Sequence, residues 1–133
     1  MRTSFRPALY SAVLALVTAA CADKALAPKF QPQVANTPNV VFSFQATGLT
    51  NITDALSYTW NASSGRVVIH PSTVTTAGTI TLNIKDAAGA VIYNGTVPAS
   101  GDITPPTGAA GAWTIRLTLA GYSGTINFAV QMM

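Results

Sequence analysis

The sequence predicts an all-β fold, a small antiparallel β-sandwich of about seven strands, and three observations carry that prediction. Apolar and polar residues alternate strictly over three long stretches, which is the period of a half-buried strand. Charged residues make up only 8% of the chain and glutamate is absent. Long solvated helices, which carry Glu and Lys on their outer faces, are therefore disfavoured. Glycine-containing segments suited to tight turns lie between the alternating stretches.

The elements follow in order from the N-terminus. Residues 1–20 have the parts of a secretory signal: Arg2 and Arg6, an apolar run from Ala8 to Val17, then the small residues Thr18, Ala19 and Ala20. The run is shorter than the roughly 18 apolar residues a membrane-spanning helix needs, so it reads as a cleaved signal helix. Cys21, the single cysteine of the chain, follows where a signal peptidase would cut. Residues 1–21 resemble a bacterial lipoprotein precursor, with Ala19 and Ala20 in the two positions before the cysteine and Thr18 where that family usually has Leu. The resemblance implies that the Cys21 sulfur takes a diacylglyceryl group and that Cys21 becomes the first residue of the mature chain. Several acyl chains, at about 0.8 kcal/mol per buried methylene, give a stable anchor. Ala20 and Ala22 also satisfy an ordinary A-x-A cleavage site, which would release a soluble secreted protein. In diderm bacteria the resemblance implies sorting to the outer membrane rather than the inner, because Ala22 and not an acidic residue follows the cysteine.

Residues 21–39 carry Pro28, Pro32 and Pro38 without a sustained period, and they read as an extended tether of about 3.1 Å per residue. The domain proper is expected over 40–133. Strands are expected at Val40–Thr47, Ala55–Trp60, Arg66–His70, Thr79–Lys85, Ala90–Val97, Trp113–Leu119 and Thr125–Gln131. The alternation points Ile80, Leu82 and Ile84 inward, together with Trp113, Ile115, Leu117 and Leu119, and Ile126, Phe128 and Val130. Asp86–Gly89 and Gly121–Gly124 are expected as hairpin turns. Seven such strands suit an immunoglobulin-like or a jelly-roll topology. Gly108–Gln131, a glycine, a tryptophan, an alternating strand, a glycine turn and a final strand, resembles a motif of secreted β-sandwich modules such as pre-peptidase C-terminal domains. That resemblance implies architecture only.

The formal charge is +3, but removing residues 1–20 leaves five cations against four carboxylates, a net charge of +1. No basic cluster remains for nucleic acid. Catalytic patterns are equally scarce: Ser63–Gly65 is not a nucleophile elbow, and no paired carboxylates appear, so no enzyme is expected. His70, the only histidine, precedes Pro71 at a strand end and reads as structural or solvated. No metal-ligand cluster and no cofactor site is expected; an oxygen site would have to combine loop carbonyls with Asp54 or Asp102. Three N-x-[ST] sequons begin at Asn51, Asn61 and Asn94 and read as unmodified in a bacterial chain.

Two functions fit this reading. The first is a lipid-anchored cell-envelope protein with a structural or protein-interaction domain, whose partners are the membrane and an envelope protein. The second is a carbohydrate- or ligand-binding module that grips a glycan with Trp60, Tyr122 and Asp102 and the long loop Pro98–Gly111. Tyr122, placed in a glycine turn, is expected to be exposed; both tryptophans fill the core on the first reading, and Trp60 meets the ligand on the second.

Overall fold

A computed structural model of the protein describes residues 30–133, and these form six strands, every pair antiparallel. They are β1 (Gln33–Thr37), β2 (Val41–Ala62), β3 (Val67–Pro71), β4 (Val74–Lys85), β5 (Val91–Gly95) and β6 (Gly111–Met132). The expected signal helix, Cys21 and the first part of the expected tether lie outside the described residues. The all-β antiparallel class is the one the alternation predicts, with six strands in place of about seven.

The difference in strand count has a physical cause. Val40–Thr47 and Ala55–Trp60 are the two ends of one 22-residue strand, β2, and Trp113–Leu119 and Thr125–Gln131 are likewise the two ends of β6. These long strands pair from Val41↔Gln131 to Ala62↔Gly111, with register shifts between Ala46 and Leu49, Leu49 and Ile52, and Ile52 and Asp54. Such irregularities bend a strand and increase its twist without ending it. Gly121–Gly124, expected as a hairpin turn, lies at this bend inside β6. Gly121 and Gly124 have φ of 56° and 140°, backbone that L side chains rarely adopt. A Cβ on Gly124 would also run into the Val74 carbonyl.

The bend lets one hydrogen-bonded sheet form two layers. In the first, the start of β2 lies between β1 and the end of β6, and β3 pairs with the other side of β6. In the second, the start of β6 lies between the end of β2 and β4, and β5 pairs with β4. The layers meet face to face: Phe42 and Tyr58, 16 positions apart on the same strand, have ring centroids 5.3 Å apart, and Phe44 lies 6.0 Å from Tyr58. The turn that leads into β2 also meets the far end of that strand through the backbone, where the Asn39 N–H donates to the Asn61 carbonyl at 2.8 Å. A folded-over sheet of this kind is a sandwich with its core between the layers.

The inward residues are those the alternation selects. Ile80, Leu82 and Ile84 of β4, Trp113 to Leu119 at alternate positions of β6, and Ile126, Phe128 and Val130 are all buried. In the first layer Phe44 stacks on Phe128 and Phe42 packs against it at a tilt. β1 falls within the segment whose prolines suggest a tether. It stands as a sheet edge in register with β2 from Gln33↔Gln45 to Thr37↔Val41.

Candidate functional site

The residues singled out from the sequence stand on three different parts of the fold. Trp60 lies near the end of β2, directly opposite Trp113 of β6, with ring centroids 5.9 Å apart at an interplanar angle of 90°. Both rings are fully buried. The Trp60 indole N–H donates to the Thr37 carbonyl at 3.0 Å, and that of Trp113 to the Ala109 carbonyl at 2.7 Å. Edge-to-face packing and a satisfied N–H are what a core tryptophan requires. Trp60 therefore offers no ring face to a ligand, which corrects its placement among glycan-gripping residues.

Tyr122 calls for the same correction. It is 0% exposed, because the position lies inside β6 and its side chain points between the layers at the bend. Its hydroxyl donates to the Val74 carbonyl at 3.2 Å and accepts from the Thr75 hydroxyl at 3.2 Å. The ring holds β4 to the bend of β6.

Asp102 is exposed and stands in the loop between β5 and β6. Its Oδ1 lies 2.8 Å from His70 Nδ1, a pairing that sequence spacing does not reveal. The backbone brings them together: Ile69 and Ile103 exchange hydrogen bonds of 2.7 and 2.9 Å, attaching the loop to the free edge of β3. With the two side chains 41% and 64% exposed, the pair contributes at most about 1 kcal/mol. Among the described residues, no hydrogen bond or ring contact joins any two of Trp60, Tyr122 and Asp102.

The other end of the same loop is held by Asp86, whose part in it exceeds the expected turn. Asp86 Oδ1 accepts from the Ala88 and Ala90 N–H groups at 3.0 and 2.9 Å, and Oδ2 accepts from Ala109 N–H at 2.9 Å. These donors, Ala109 foremost, hold the carboxyl below its ordinary range. The Asp-x-x-Gly spacing signalled the local turn, with Gly89 at φ 85°. Nothing in the spacing signalled Ala109. Next to it, Gly108 N–H donates to the Gly65 carbonyl at 2.9 Å, and a Cβ on Gly65 would strike the Gly108 carbonyl.

A cleft of about 390 Å³ opens beside β4, lined by Thr73, Thr75, Thr79, Ile80, Thr96 and Val97. It exists because β5 pairs with β4 only from Leu82 to Lys85, while the next contact of this kind is Thr73 N–H to the Pro98 carbonyl at 3.2 Å. On the outer face of the second layer, Ser57, Arg116, Asn83 and Asn94 form one row across four strands. Among the described residues there is no group of three or more His, Cys, Asp and Glu placed to hold a metal ion, and no helix long and apolar enough to cross a membrane.

No family model and no curated protein matches the chain. Among solved structures it is similar to the C-terminal CBM6 of LamC, a marine laminarinase from Zobellia galactanivorans, at 12% identity, 77% of this chain, 93% of that one and a TM-score of 0.34. A likeness that distant bears on neither ligand nor function.

Proposed function

We propose that the chain is a lipid-anchored protein of the bacterial cell envelope, attached through Cys21 and sorted to the outer membrane, whose β-sandwich is a non-catalytic structural or protein-interaction domain. The anchor is supported by the order of the N-terminal residues: cations, a short apolar run, small residues, then the single cysteine. The choice of interaction over sugar stacking rests on one observation. Among the described residues no phenylalanine, tyrosine or tryptophan is exposed; each is buried or half-buried.

What the domain does present is polar edges. β1 ends the sheet, pairs only with β2, and exposes all five of its side chains. An edge strand offers its free N–H and C=O groups to an extended segment of a partner. Fractionation of a producing diderm bacterium tests the proposal. The wild-type chain is expected with the outer membranes and the Cys21→Ser variant in the soluble periplasmic extract; wild-type protein in the soluble extract would overturn the anchor.

The cleft beside β4 favours a second reading, a module for a neutral ligand. Its lining carries threonine hydroxyls and aliphatic groups with no ionisable side chain, chemistry suited to the hydroxyls and ring carbons of an uncharged sugar. Retention on a panel of neutral glycans, lost in Thr79→Val, would support that reading. Absent retention, or retention unchanged in the variant, counts against it.

A further inference from the structure

We infer that Asn94 is a site of spontaneous, backbone-assisted deamidation that places a carboxylate on the cationic outer face of the second layer. All seven asparagines lie among the described residues, and only Asn94 is followed by glycine; the others precede Thr, Val, Ile, Ala, Ile and Phe. The reaction needs the next residue's backbone nitrogen to reach the side-chain carbonyl carbon, and a Cβ on that residue obstructs the approach. Gly95 has none and the widest backbone freedom.

The position in the fold adds access. Asn94 is exposed on β5, the outermost strand of its layer, and Gly95 forms the last pair of that strand, with Leu82. Strand ends open most easily. The amide of Asn36 is committed to the Thr59 carbonyl at 2.8 Å, whereas no hydrogen bond among the described residues holds the side chain of Asn94.

The chemistry balances with water alone. The Gly95 amide nitrogen loses its proton and attacks Asn94 Cγ; the N–Cγ bond forms, the Cγ–Nδ2 bond breaks, and ammonia leaves. Water then opens the five-membered imide at either carbonyl, giving aspartate or isoaspartate. The aspartate stands in the row of Arg116 and diagonally across from Lys85, two cations with no ion pair among the described residues. The isoaspartate adds a methylene to the main chain and disturbs the Leu82↔Gly95 register.

Incubation of the purified full chain in mildly basic buffer, followed by proteolysis and peptide mass mapping, tests the inference. The peptide holding Asn94 is expected to change from amide to acid before any other asparagine peptide, with loss of that early conversion in Asn94→Gln and in Gly95→Ala. The glutamine variant leaves the backbone untouched, which matters because a Cβ at 95 would sit 3.2 Å from the Tyr93 hydroxyl. An Asn94 peptide that keeps its amide while those of Asn51 or Asn61 convert, or while none converts, would overturn it.

Discussion

Tyr122 shows how a single side chain is misplaced by its neighbours in sequence. Two glycines within four residues read as a turn, and an aromatic in a turn reads as exposed. Here the glycines bend a strand that continues, so the ring goes inward and its hydroxyl joins Thr75 and Val74. Tyr122→Phe leaves the Val74 carbonyl and the Thr75 hydroxyl without that partner, and chemical denaturation should show a loss of about 1–3 kcal/mol. Tryptophan emission should be blue-shifted and indifferent to added sugars, since both indoles are buried with satisfied N–H groups. Asp86 carries a pH dependence. Its folded pKa lies below the unfolded value, so its stabilisation is complete above the ordinary carboxylate pKa and is lost as pH falls through the folded one. Thermal unfolding should find Asp86→Asn less stable than wild type at neutral pH, with the gap closing in acid.

At the scale of elements, alternation identified which residues face inward but not where a strand stops. Period two continues across a bulge, so β2 and β6 look like two strands each until their pairing is known. β1 was hidden for the opposite reason. Gln33–Thr37 has all five side chains exposed and lies between Pro32 and Pro38, so no apolar face marks it as a strand. The Asp102–His70 and Asp86–Ala109 contacts join residues 32 and 23 positions apart, distances at which local spacing carries no signal. The bend itself is testable. Gly124→Ala forces a side chain into a φ of 140° and against the Val74 carbonyl, and a stability loss above about 1 kcal/mol is expected in urea denaturation. Gly89→Ala at the β4–β5 turn, with open space around its Cβ, should cost less.

Residues 30–133 form a small sandwich in which three cations, Arg66, Lys85 and Arg116, balance three carboxylates, with apolar groups folded between two layers and polar edges outside. Fold class and core were legible because both follow from periodicity. The expected aromatic grip of Trp60 and Tyr122 is absent because both rings are buried, and core and binding aromatics look alike in sequence until burial is known. Gln33 lies twelve positions after Cys21, and at 3.3–3.6 Å per residue that sets a ceiling of about 40 Å on how far an anchored β1 stands from the membrane. The intact mass of the protein recovered from bacterial membranes, with Cys21→Ser beside it, tests the anchor most directly. A chain that begins at Cys21 and carries acyl mass, lost in the variant, is the predicted result. A lipid-free chain beginning at Asp23 and found in the soluble fraction would contradict it.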